Sequence, residues 1–196
     1  MTMNDISWWA QHIQPAITLT DRPDHDWNWL RIAGPYLSGT IKLGRQRFSA
    51  ITLGVQHDQL FVTCGMLLII THASHLPEQR QRSVYVWYFA DAPRDRLEQL
   101  IPATLTPRPI ASALLDVALC ESFNRRWAGR MGLYADERGG TDLLAFYRGK
   151  GMTALDVRIR PPRRLAQIGE TPNDGRFFFH TTISAIAASC EFDAMR

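Results

Sequence analysis

The chain has little that would mark a secreted, metal-bound or membrane protein. Its 196 residues include three cysteines, Cys64, Cys120 and Cys190, all far apart. There is no Cys-x-x-Cys pair and no Cys/His spacing that suits zinc, so neither a disulfide framework nor a metal site is expected. An odd count of widely spaced thiols suits a reducing cytoplasm. The N-terminus, MTMNDISWWAQHIQP, lacks the cationic start and apolar segment of a secretory signal. The longest apolar run, residues 66–70, falls far short of the roughly 20 residues that cross a bilayer. The expectation is a soluble, cytoplasmic protein with no membrane partner. Charge of one sign is also scarce. The formal net charge is +3, with a pI near 9.0. The nearest thing to a basic cluster is Arg158, Arg160, Arg163 and Arg164. A nucleic-acid binder concentrates its charge on one face, so nucleic acid is not an expected partner. Anionic small molecules fit so modest an excess. Also missing are the phosphate loops G-x-x-x-x-G-K-[ST] and G-x-G-x-x-G, the G-x-S-x-G elbow and H-E-x-x-H.

Hydrophobic residues make up 45% and charged residues 21% of the chain, which suits one globular domain, 1–196, with a sizeable core. The first 47 residues are rich in Trp, Pro and Asp. ISWWAQHI predicts a short helix stopped by Pro15, DRPDHDWNWL a turn leading into a second helix, and GPYLSGTIKLGRQR an irregular stretch. Trp8, Trp9, Trp27 and Trp29 suit core or lid packing. A meander of three strands is expected over 48–92: FSAITLGV, LFVTCGMLLIITHA and SVYVWYFADA. The second is apolar almost throughout, as a central strand covered on both faces would be. RDRLEQLI follows as a short helix.

From Pro109 the pattern becomes strongly helical, with proline well placed in the first turn. Gly129 ends that region. RMGLYAD alternates as a strand, Gly139-Gly140 is a turn, and TDLLAFYRGK is a helix closed by Gly151. MTALDVRI and RFFFHT predict two more strands over 153–196, and TISAIAASCEF a final helix. Strands alternating with helices point to a mixed α/β sheet.

The order of elements over 108–152 resembles the acyl-CoA-binding core of the GNAT acyltransferases. Arg108-Pro109-Ile110-Ala111-Ser112-Ala113 is similar to that family's pyrophosphate loop, with Ala111 where the family usually has glycine. LLAFYRGKGM resembles its closing helix and turn. The resemblance implies a GNAT-like α/β fold: a mixed, mostly antiparallel central sheet with helices on both faces, and residues 1–47 as an acceptor-side or lid region. It implies acetyl-CoA, or another acyl-CoA, as the acyl donor. Backbone N–H groups of Ile110, Ala111, Ser112 and Ala113 would hold the pyrophosphate with Arg108 beside them, as helix starts hold anions. The backbone from Tyr88 to Ala90 would position the thioester. Tyr147 would protonate the departing thiolate, which is general-acid chemistry.

The implied reaction is N-acyl transfer, acetyl transfer above all, to a primary amine on a small molecule or a protein. Asp91 and His72, near strand ends, are the candidate bases, although an Asp before Ala-Pro also suits a turn. The family is often dimeric, which leaves a homodimer open. Two rival readings stand beside the enzyme. One is a non-catalytic protein of the same fold, acting as an acyl-CoA sensor or interaction module. The other is a nucleic-acid binder built on Arg158 to Arg164.

Overall fold

The computed structural model describes residues 1–38, 47–107, 109–161 and 173–193. Arg108, Arg163 and Arg164 lie outside the described residues.

The sheet grows from β2 (Leu60–Ser74), which is buried without a break from Val62 to Thr71. Strand β1 (Arg47–His57) pairs antiparallel with it across the two-residue turn Asp58-Gln59. Both turn residues have positive φ, 49° and 70°, the mirror-image turn whose twist matches that of its flanking strands. Strand β3 (Arg82–Asp91) lies antiparallel on the other side of β2. The expected meander is therefore present. After α4 (Arg94–Leu100), helix α5 (Ile110–Asn124) carries the chain across to β4 (Met131–Tyr134). Strand β4 runs parallel to β3, as a crossover helix permits. Helix α6 (Gly140–Gly149) leads to β5 (Thr153–Ala154) at the sheet edge. Strand β6 (Phe177–His180) then fits between β5 and β4, and α7 (Thr182–Asp193) follows. The order is β1-β2-β3-β4-β6-β5, with one parallel pair among antiparallel ones.

Helices cover both faces. A Cβ placed on Gly65 would lie 2.9 Å from Ile110 and 3.0 Å from Leu114 of α5. Thr52, paired with the next residue, Met66, instead bonds Asp5 of α1 (Met3–His12) at 3.1 Å. Adjacent strand residues face opposite ways, so α5 and α1 lie on opposite sides. The mixed, mostly antiparallel sheet with helices on both faces is thus as expected.

Three local expectations need correction. The first helix does end before Pro15, at His12, but a second one follows at once: Pro15 occupies the first turn of α2 (Gln14–Thr18), where its missing N–H is tolerated. Gly34 and Pro35 lie inside α3 (Trp29–Leu37), which Asn28 caps through Arg31 N–H at 3.1 Å. Pro35 falls in the last turn of a short helix held down by buried Trp29 and Ala33. MTALDVRI pairs as a strand only at Thr153-Ala154. Beyond it, the Asp156 carboxylate accepts from Arg158 N–H at 2.9 Å and the Asp156 carbonyl from Ile159 N–H at 2.8 Å. Aspartate bonding its own backbone makes a turn compete with the strand.

Two features yield tests. Gly129 has φ 74°, and a Cβ there would lie 2.5 Å from Ala185 and 2.6 Å from Phe123. Gly129→Ala is expected to lower stability by about 2 kcal/mol or more in denaturant titration. His75 and His180 are both buried, and burial pushes each from 6.5 down to about 4. Between those values the unfolded chain binds protons that the folded chain refuses. Stability is therefore complete above about pH 6.5 and declines as pH falls toward 4, by up to about 1.4 kcal/mol per pH unit for each histidine. Thermal unfolding between pH 8 and 5 should show the decline, and His75→Phe should reduce it.

Candidate functional site

Strands β3 and β4 pair over only three residues, ending at Val86 and Leu133. There they part. Opposite β2, the register slips between Leu68 and Ile69, which leaves Trp87 as an extra residue on β3. A bulge of this kind bends its strand and increases the twist, turning β3 away from its neighbour. The gap becomes a cleft of about 530 Å³. Trp87, Tyr88, Phe89 and Asp91 line one wall, and Leu133, Tyr134 and Asp136 the other. Consecutive residues of β3 face opposite sides of the sheet, so the cleft passes between the strands rather than lying on one face.

The backbone of β3 is ordered by a simple alternation. Ala92 N–H donates to Cys64 C=O of β2 at 2.8 Å, whereas Asp91 C=O points away and accepts from Arg22 Nη2 at 2.9 Å. Hydrogen-bonded and non-bonded pairs alternate along such a ladder. Tyr88 and Ala90 therefore spend their backbone groups on β2, and Phe89 turns its N–H and C=O toward the cleft. No described strand pairs with that edge of β3 beyond Val86.

Tyr147 of α6 lines the cleft with its ring buried against Phe89, Phe146 and Phe178. Burial raises its pKa, so the hydroxyl stays protonated at neutral pH. Burial likewise raises Tyr88. Tyr134 is raised by burial and by its bonds to Asp174 and Glu137, at 2.9 and 3.1 Å.

Two arginines stand over the cleft, each held by an aspartate two residues away. Arg22 donates from Nε and Nη2 to Asp24 at 2.9 and 2.8 Å. Its Nη2 also reaches the Asp91 carboxylate at 2.9 Å. Burial weakens the Arg22 charge, but the bond to Asp24 and the charges of Asp91 and Asp24 outweigh it and raise the pKa. Arg138 donates from Nε and Nη2 to Asp136 at 3.1 and 3.0 Å and from Nη1 to Asp26 at 2.7 Å. Trp27 fills the space between, edge-on to Tyr88 with ring centroids 5.0 Å apart.

Of the residues singled out in the sequence, the structure brings Tyr88, Asp91 and Tyr147 to this cleft. Ala90 is buried beside them on β3. Ile110, Ala111, Ser112 and Ala113 form the first turn of α5, above Gly65 and so beside the end of β3, without lining the cavity. That helix start has no side-chain cap, and Ala113 N–H already donates to Pro109 C=O at 3.1 Å. Ile110, Ala111 and Ser112 thus hold the N–H groups that no intrahelical carbonyl takes up. His72 sits apart, edge-on to Trp127. Among the described residues no cluster of His, Cys, Asp and Glu suits a metal, and no helix is long and apolar enough to cross a membrane.

No protein-family model matches the chain. No curated protein matches it. Among solved structures, a chain of the AtaT-AtaR complex bound to DNA is similar at 15% identity, with a TM-score of 0.43 over 86% of this chain and 95% of that one. A likeness of that size carries no inference about activity.

Sequence reading missed Arg22, Arg138 and Asp136, and it pointed to the backbone from Tyr88 to Ala90 without telling that Phe89 is the residue turned to the cleft. The arginines announce themselves only as Arg-x-Asp and Asp-x-Arg inside loop sequence, and the same arrangement recurs at Asp156 and Arg158 far from the cleft. The phase of Phe89 depends on a bulge that no local pattern encodes. Arg22→Ala would leave the 5% exposed Asp24 without its cation. The expected loss is about 1–3 kcal/mol in chemical denaturation, and adding Asp24→Asn should recover part of it.

Proposed function

We propose that the chain is an acyl-CoA-dependent N-acyltransferase of the GNAT type, transferring acetyl from acetyl-CoA to a primary amine. One observation carries this reading. At Phe89 the edge of β3 that pairs with no described strand faces a cleft between splayed parallel strands, and a buried, protonated tyrosine stands on the same cleft.

The residues present fit an acyl-CoA. Its amide-bearing arm is extended and suits the free N–H and C=O of Phe89, as a peptide suits an open strand edge. The uncapped N–H groups of Ile110, Ala111 and Ser112 suit a pyrophosphate. What acetyl-CoA supplies when bound is an acyl group activated as a thioester.

The chain's own residues then do three things. Phe89 N–H donates toward a carbonyl oxygen in the cleft, where a low dielectric strengthens such a bond. Tyr147 keeps its phenolic proton against a sulfur. A thiol's ordinary pKa, about 8.5, lies below a tyrosine's, about 10, and burial widens that gap. Tyr147 therefore stabilises a thiolate by donating a hydrogen bond rather than by giving up its proton. Asp91 has Oδ1 engaged by Arg22, leaving Oδ2 to take a proton from the substrate ammonium, so that the neutral amine forms the new C–N bond as the C–S bond breaks and the thiolate departs.

A second reading, a non-catalytic acyl-CoA sensor, shares the cleft and rests on Ala111 and Pro109 at the helix start, where glycine and a further N–H donor would improve the grip on phosphate. Isothermal titration with CoA and acetyl-CoA, joined to thiol release over a panel of amines, separates the two. Binding with amine-dependent CoA release is expected. Binding without release over the panel would favour the sensor, and no binding at millimolar ligand would end both. Tyr147→Phe should lower kcat by roughly 10- to 100-fold while leaving CoA affinity within about twofold. Unchanged turnover would return Tyr147 to packing alone.

A further inference from the structure

The loop before α3 is tied down up to His25, whose C=O accepts from Gln14 Nε2 at 3.2 Å and Thr18 Oγ1 at 3.1 Å, and again from Asn28, which caps α3. At one end, Asp24 is 5% exposed and joined through Arg22 to Asp91 at the tip of β3. At the other, Trp29 is 3% exposed and starts α3. Between these anchors, Asp26 and Asn28 are exposed, and His25 and Trp27 half-buried. The arc makes two contacts with the cleft. Trp27 lies edge-on to Tyr88 at 5.0 Å. Asp26 reaches the far wall, accepting from Arg138 Nη1 at 2.7 Å.

We propose that Asp26 and Trp27 form a gate over the cleft, with Trp27 as the lid and the Asp26–Arg138 ion pair as its latch. The anchor and the latch differ in strength for a physical reason. The Arg22 cluster is better shielded from water, its side chains 30%, 7% and 36% exposed at Arg22, Asp24 and Asp91. The latch lies in solvent, with side chains 41% and 59% exposed at Arg138 and Asp26. An exposed pair of that kind shifts an equilibrium by no more than about fivefold, and salt weakens it. It holds the arc closed without holding it fast. Arg138 is nonetheless set to catch it. Asp136 grips the guanidinium on Nε and Nη2 and so aims Nη1 at Asp26. Release lets Trp27 lift from Tyr88, opening the cleft from the side of the N-terminal helices. The gate rests on this cleft being the ligand site. It does not depend on which ligand enters.

The test needs no ligand, so a failure of acyl-CoA binding leaves it readable. The full chain is labelled with 5-fluorotryptophan, and the Trp27 resonance is assigned by its loss in Trp27→Phe. In Asp26→Asn, the Trp27 signal should move or broaden and gain a solvent-isotope shift between H2O and D2O, and its ring neighbour Trp29, 6.1 Å away, should follow to a lesser degree, while the Trp9 and Trp127 signals stay in place. In the unaltered chain, raising salt from about 20 to 500 mM should bring on the same change, and in Asp26→Asn salt should add little. A Trp27 signal indifferent to both salt and Asp26→Asn would overturn the latch. Equal movement of Trp9 and Trp127 would reduce Asp26 to a general contributor to the fold.

Discussion

The parting of β3 from β4 after Val86 is the constraint on which the rest of this structure depends. A parallel pair needs a crossover, and α5 provides it, so the two strands meet edge to edge without a tight turn to hold them together. Their ladder is three residues long. The extra residue at Trp87 then bends β3 away while β2 keeps its other edge paired. Backbone groups that an intact sheet would use up are left facing a cavity. Such an edge is costly unless something binds or covers it. Here the cavity walls are aromatic, and the loop carrying Trp27 crosses over them.

The charges follow from the same opening. Both strand ends are acidic, at Asp91 and Asp136, and an arginine sits on each. Local Asp-Arg forks set the direction of both guanidiniums before they reach across the cleft. The N-terminal helices are thereby tied to a site built by residues some 70 to 110 positions later in the chain. Tyr147 belongs to the other side of the arrangement. Its aromatic neighbours come from β3, α6 and β6, so packing and any chemical role are served by the same ring.

Much of the fold was legible. The unbroken apolar run of β2, the Pro-started helix α5 and the glycine at the end of α6 each carry a strong local signal, and each formed as expected. What misled was punctuation without context. Gly34-Pro35 reads as a breaker, yet buried Trp29 and Ala33 outweigh it at the end of a short helix, and Pro15, which does follow the end of α1, also opens α2. The apolar residues of MTALDVRI read as a strand, but Asp156 diverts the backbone and leaves Val157 and Ile159 exposed. At the site, Tyr147, Tyr88 and Asp91 could be found because their residue types stand out on predicted elements. The stretch from Tyr88 to Ala90 was found as well, but not that Phe89 is the residue whose backbone faces the cleft. Its direction is set by a bulge, which is a property of two strands together.

The central claim is that ligand enters between the splayed strands. An amide-resolved NMR titration of the full chain with acetyl-CoA tests it most directly. Saturating shifts confined to residues 22–28, 86–91, 110–112 and 133–138, and to Tyr147, are the predicted result. Saturating shifts elsewhere with these residues unmoved, or no shifts at millimolar ligand, would contradict it.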